Sequence, residues 1–193
     1  MSPPPSDTAA RIAPITPEFS PEERSLLLAL AHRSIAATLA GAELDITPPS
    51  PHLDVKRGAF TTLHLEGELR GCVGYVFPVY SLYRTIAETA AAAAFHDIRF
   101  SPVTSEEAPL LKIEISVLSP LQPIAPEEIE IGRHGVVITY GLRRGLLLPQ
   151  VPVEHGWDRL TFLEQTCYKA GAPSDAWQHG AVIEAFTAEV FGE

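Results

Sequence analysis

The run Ala59-Phe60-Thr61-Thr62-Leu63-His64-Leu65-Glu66-Gly67-Glu68-Leu69-Arg70-Gly71-Cys72-Val73-Gly74-Tyr75 decides the fold. Its β-branched and aromatic residues favour extended backbone, and Glu66-Gly67 can reverse the chain within two residues. Residues 59–65 and 69–75 therefore read as the two strands of a hairpin, which fixes an antiparallel pairing. Further along, Ile113, Ile115 and Val117 alternate with Lys112, Glu114 and Ser116, the pattern of a half-buried strand over 111–118. Gly135 to Tyr140 and Gly145 to Leu148 bracket Gly141-Leu142-Arg143-Arg144 as a second hairpin, with a turn or short strand before it over 127–131. Val182 to Phe191 alternates again and predicts a single last strand. Strands that arrive as hairpins or singly, without regular helical crossovers, predict an α+β fold with a mainly antiparallel sheet flanked by helices.

The helices carry their own signals. Ser20-Pro21-Glu22-Glu23 supplies a capping box and a proline at the first helical position. Leu27, Leu30, Ala31, Ser34, Ile35 and Thr38 then share one face up to a stop at Gly41. A second helix is predicted over 81–95, with Leu82, Ile86 and Ala90 on one face. A third starts at Asp158 and runs to about Ala170, stopped by Gly171. Residues 1–18, rich in Pro, Ser and Thr, read as a flexible tail preceding one domain over 19–193.

A chain of 193 residues buries a real core without staples, and 46% hydrophobic with 20% charged residues is a globular composition. A formal net charge of -10 repels phosphate backbones and disfavours nucleic acid as a partner. No apolar run approaches the ~20 residues of a membrane helix, and the amino terminus lacks the basic and apolar regions of a secretory signal. Cys72 and Cys167 are the only cysteines. With no C-x-x-C spacing they predict a reducing, cytoplasmic setting. The seven histidines are scattered and form no metal-ligand set.

The chemistry centres on Cys72. On an extended strand Arg70, Cys72 and Gly74 share a face, so the Arg70 guanidinium is placed to favour the Cys72 thiolate. Gly71 and Gly74 each cost a strand about 0.5–1 kcal/mol, and they clear side-chain bulk so that a substrate or another backbone can approach. The alternative is a bulge with Cys72 as a small buried hydrophobe. Asp97 and Arg99 form, with His96, either an oriented acid–base group or a loop pairing its own charges. His134 is a base or a hydrogen-bonded structural residue. Glu154 and His155 can assist a thiol or hold a ligand, whereas Trp157 reads as a core anchor and Asp158 as a helix cap.

These segments resemble the AMMECR domain. The likeness rests on Gly58-Ala59-Phe60-Thr61-Thr62-Leu63, on Leu69-Arg70-Gly71-Cys72-Val73-Gly74 and on Asp97-Ile98-Arg99-Phe100-Ser101-Pro102-Val103. It continues through His134-Gly135, Gly145 to Val151, Glu154-His155-Gly156-Trp157-Asp158 and Phe186 to Phe191, and covers nearly everything after residue 20. Val73 stands where isoleucine is usual, and Ile98 where proline or serine is common. The resemblance implies an α+β fold with a smaller subdomain. It implies a site around Cys72, Arg70, Gly71 and Gly74, with Asp97, Arg99, His134, Glu154, Trp157 and Asp158 in matching positions. It also implies work alongside a Memo-like protein and a radical SAM protein, as in the prokaryotic AmmeMemoRadiSam system. Cys72 is then a nucleophile or group carrier, with His134 or Glu154 moving protons. The alternative is a non-catalytic module that binds a small molecule or a partner. Cofactor, substrate and oligomeric state are not specified by the resemblance.

Overall fold

The computed structural model describes residues 17–193. Residues 1–16, most of the expected tail, lie outside it. Helix α1 spans Pro21–Ala40, its capping box formed by Ser20 and Glu23 as the sequence predicts, with Gly41 left-handed at its end. Strands β1 (Ala59–Leu65) and β2 (Glu68–Tyr75) are the expected hairpin. Its turn has Glu66 and Gly67 at φ 54° and 87°, the positive pair that matches strand twist. Helix α2 (Leu82–Phe95) and strand β3 (Lys112–Leu118) follow. A two-residue strand β4 (Gln122–Pro123) leads to the second hairpin, β5 (Gly135–Tyr140) and β6 (Arg143–Leu147). Helices α3 (Gln150–His155) and α4 (Arg159–Lys169) precede strands β7 (Val182–Phe186) and β8 (Ala188–Gly192). The segment 127–131 holds only part of a single 3-10 turn, Pro126–Glu128.

Two antiparallel sheets result, ordered β2-β1-β3-β8 and β4-β7-β5-β6. The α+β reading holds, with one correction. The alternating run Val182 to Phe191 is two strands on different sheets, because the chain changes sheet at Thr187. Two hydrogen bonds stitch that corner: Ser119 N–H donates to the Thr187 carbonyl at 2.9 Å, and Thr187 N–H to Ser119 Oγ at 3.0 Å. No glycine or proline marks the break, so periodicity alone runs straight through it.

Helices α1 and α2 cover one face of the first sheet, burying Leu27, Leu30, Leu63, Ile86, Ile113 and Ile115. Helix α4 covers the second sheet through Phe162 and Leu163, which pack on Val136 and Ile138. A smaller cluster of Leu118, Val137 and Phe186 joins the two sheets. The first core contains a buried pair of side-chain hydroxyls. Thr61 and Thr89, both fully buried, bring their hydroxyls to 2.8 Å, and Thr89 Oγ1 also donates to the Thr85 carbonyl. Thr61 is therefore the donor to Thr89. Thr61→Val removes that donor and leaves no orphan, so it is expected to cost about 1 kcal/mol. Thr89→Val strands the Thr61 hydroxyl and costs more. Urea denaturation of the two variants checks the order.

Candidate functional site

Cys72 lies on β2, an edge strand of the first sheet, opposite Thr62 of β1. Its backbone N–H does not reach β1 but points outward, to Asp97 Oδ2 at 2.9 Å. The Thr62–Cys72 pair is thus one of the non-hydrogen-bonded pairs of an antiparallel ladder, in which facing side chains come closest. Thr62 uses that proximity: its hydroxyl donates to Cys72 Sγ at 3.3 Å. The sulfur is half-buried, and among the described residues Thr62 is its hydrogen-bond partner.

The loop after α2 grips the strand edge. Asp97 accepts from the Arg99 backbone N–H at 3.2 Å, from Arg99 Nε at 2.9 Å and from Arg99 Nη2 at 2.6 Å. Arg99 Nη2 extends to the Cys72 carbonyl at 3.4 Å. Carboxylate on N–H and guanidinium on C=O together replace the neighbouring strand that an edge lacks. The Arg99 side chain, with help from the Cys72 and Arg99 N–H groups, holds the Asp97 carboxyl well below the usual carboxylate range, against the opposing effect of burial. Between these two residues Ile98 is fully exposed.

Arg70 does not play the part the strand alternation assigned to it. Its guanidinium pairs with Glu107 (Nε–Oε1 3.1 Å, Nη2–Oε2 3.0 Å), and Nη1 donates to the Ser101 carbonyl at 2.9 Å. The cause is local. Leu63 pairs with Gly71 and His64 with Leu69, so Arg70 is the extra residue of a β-bulge. A bulge breaks the two-residue alternation and re-aims its side chain. The guanidinium on the Cys72 peptide is that of Arg99.

The glycines are explained by the protein's own atoms. A Cβ on Gly71 would fall inside the carbonyl oxygen of Ala93, where α2 crosses the strand. A Cβ on Gly74 would strike the ring of Phe60, its cross-strand partner. Gly71 seats the helix and Gly74 seats an aromatic ring; neither holds open a space for substrate.

The space lies on the far face of the sheet from the helices. A cleft of about 550 Å³ has Cys72, Thr62 and Glu114 on its floor, with Phe60 and Ser116 one row along. Its opposite wall is the segment Leu148–Gln150 with Val153 and Glu154 of α3. Arg133 also lines it, with Nη1 held by both oxygens of Glu130 at 3.1 and 3.0 Å. Helix α3 escaped sequence reasoning because it is one and a half turns long and contains Pro152. That proline sits in the first turn, where no N–H is needed.

The other expected residues separate. Glu154 faces the cleft. His134 lines a different hollow, with Ser119 and Phe186. Its Nδ1 accepts the Glu130 N–H at 3.0 Å, and burial pushes its pKa down. Trp157 packs on the second core and stacks on His155, ring centres 4.6 Å apart. Asp158 caps α4 by accepting the Thr161 N–H at 2.8 Å. Thr62, Glu114 and Phe60 are among the site residues not singled out from sequence, although alternation already put Glu114 on the face away from the core. Among the described residues no group of three or more His, Cys, Asp or Glu side chains is arranged to hold a metal, and no helix is long and apolar enough to cross a membrane.

Comparison with known proteins places the molecule. The family profile described as AMMECR1 matches residues 28–191. Protein MK0488 of Methanopyrus kandleri is 43% identical over 184 residues, covering 89% of each chain. Protein MJ0810 of Methanocaldococcus jannaschii is 42% identical, over 89% of this chain and 90% of its own. Among solved structures, the uncharacterized protein PH0010 from Pyrococcus horikoshii superposes with a TM-score of 0.74 at 41% identity, over 87% of this chain and 90% of that one.

Proposed function

The chain belongs to the AMMECR1 family, and from that premise we propose that Cys72 is a thiol nucleophile or group carrier for a small molecule admitted to the cleft. The observation that carries this reading is the placement of Sγ on the floor of a 550 Å³ cleft, held by a donated hydroxyl. In the step proposed, sulfur bonds to an electrophilic carbon of the ligand. The leaving group departs with the electron pair of the broken bond, and the thiol proton passes to Glu154, the carboxylate on the facing wall of the cleft. Two free cysteines fit a reducing cytoplasm. A Memo-like protein and a radical SAM protein, the companions implied by the AMMECR resemblance, are the proposed suppliers or receivers of the carried group.

Cys167 provides an internal control. It is fully buried in the second core, and burial pushes its thiol pKa up. Iodoacetamide on the folded protein is expected to alkylate Cys72 at least about a hundredfold faster than Cys167, because a core thiol reacts only through opening. Peptide mass spectrometry over a time course reads both sites. Equal rates at the two cysteines, or a Cys72 slower than free cysteine by the same margin, would remove the basis of the reading.

One observation favours a second reading, a binding module without bond-making. The nearby guanidinium groups are engaged elsewhere, Arg70 on Glu107 and Arg99 on Asp97 and the Cys72 carbonyl. A Cys72→Ala protein that retains a co-purifying small molecule unchanged supports this reading over the first.

A further inference from the structure

We propose that the cleft selects a cationic, largely apolar small molecule, with Glu114 receiving its ammonium group and Cys72 lying at its other end. This rests on the reading of the cleft given above and names the ligand class for it. Three features of the lining carry it.

Glu114 is half-buried on the cleft floor, and among the described residues its carboxylate has neither a hydrogen bond nor an ion pair. A ligand cation therefore meets a carboxylate that no protein group already occupies. The opposing wall repeats the sign: the exposed Glu154 is likewise without a partner among the described residues, while Arg133, the basic residue of the lining, is paired through Nη1 with Glu130 and keeps its Nε buried and unpartnered. Lys112, on the same strand face as Glu114, is exposed and outside the lining. Glu114 and Glu154 outnumber Arg133 among the charges of the lining, and a net charge of -10 has the same sign. Between the carboxylates the walls are hydrocarbon, with Phe60 on one side and Leu148 and Val153 on the other. They suit an aliphatic or aromatic body.

The ladder sets the length of that body. Cys72, Thr62 and Glu114 are directly opposed across three strands. The Thr62–Cys72 pair is the close kind and Thr62–Glu114 the hydrogen-bonded kind. The Cα atoms of Cys72 and Glu114 are therefore about 10 Å apart, a span that a primary amine on several carbons bridges, with the Thr62 hydroxyl at its midpoint.

Methanethiosulfonate reagents test this on the full chain. They form a mixed disulfide with Cys72 while methanesulfinate leaves, so no oxidant is needed. Three are compared by rate: the cationic aminoethyl, the anionic sulfonatoethyl and the neutral methyl reagent. The cationic-to-anionic rate ratio at Cys72 is expected to exceed that of free cysteine by tenfold or more. Glu114→Gln should lower it roughly fivefold, from a unit charge lost at this range, while Glu43→Gln on an exposed segment leaves it unchanged. The neutral reagent, reacting at the wild-type rate, reports that Glu114→Gln is folded. Hexylammonium should slow the neutral reagent where hexanoate does not, and this protection should vanish in Glu114→Gln. A ratio unmoved by Glu114→Gln, or equal protection by the two ions, overturns the cationic ligand and leaves the accessible thiol standing. A Cys72 that the neutral reagent does not modify overturns both.

Discussion

Gly71→Ala is expected to destabilise the protein by more than about 3 kcal/mol, at the upper end of what overpacking a core costs. The atom in the way is the Ala93 carbonyl oxygen, which belongs to the α2 backbone. No rotamer relieves the contact; the helix has to lift from β2. That lift disturbs Leu82, Ile86 and Ala90, which are fully buried, and the hydroxyl pair between Thr61 and Thr89. One influence works the other way. Alanine narrows the unfolded ensemble and by itself favours folding by up to about 1 kcal/mol, too little to offset a backbone collision. Ala93→Gly should not rescue the variant, because it removes a methyl and leaves the carbonyl. Urea melts of the single and double variants read both statements. Cys167 supplies a second readout, since a destabilised protein opens more often and should bring its alkylation rate closer to that of Cys72. A Gly71→Ala protein with a wild-type melt would mean that α2 sits higher than described.

What the sequence made legible follows from how local each signal is. The capping box at Ser20 and Glu23, the turn at Glu66 and Gly67 and the cap at Asp158 each depend on a few adjacent residues, and each is where it was expected. Alternation correctly placed Ile113, Ile115 and Val117 inward and Glu114 and Ser116 on the other face. It failed at two points where the backbone departs from a two-residue period. The bulge at Arg70 swung a guanidinium to Glu107. The corner at Thr187 split one run into β7 and β8, held by Ser119, which is 68 residues away in the chain. Contacts of that separation leave no periodic trace. The same limit hid the cleft: nothing near Glu114 says that its solvent-side face meets α3, so a residue that looks like ordinary strand surface becomes the floor of a site.

Asp97→Asn is expected to cost about 2 kcal/mol near neutral pH, within the range for losing hydrogen bonds to a charged group. Asparagine keeps the shape of the side chain but exchanges one acceptor oxygen for a donor NH₂. The native carboxylate takes up the Cys72 N–H with one oxygen and the Arg99 N–H and Nε with the other, with Arg99 Nη2 on the first as well. An amide satisfies only one side; whichever way it turns, its NH₂ faces N–H groups. Water does little to repair this, because the Asp97 side chain is 6% exposed, although Arg99 is 53% exposed. The pH dependence identifies the cause. Asp97 is held ionised in the folded state to a pH well below its unfolded value, so its contribution is fully present above about pH 4. It fades as the pH falls below that point through the lowered native value. The gap between wild type and Asp97→Asn should therefore be constant from pH 5 to 8 and narrow between pH 4 and 3. A gap that stays level to pH 3 would assign the loss to packing instead of charge. The sulfur should register the same change. Asp97 touches the Cys72 peptide and not Sγ, so it acts as a positioning residue. With the strand edge released, Thr62 loses its fixed partner, and the selectivity of Cys72 for cationic over anionic reagents should decline even though Glu114 is untouched. Restoring the carboxylate one methylene further out, in Asp97→Glu, should recover the pH dependence in part but not the selectivity, because the longer side chain does not reproduce the two-sided grip.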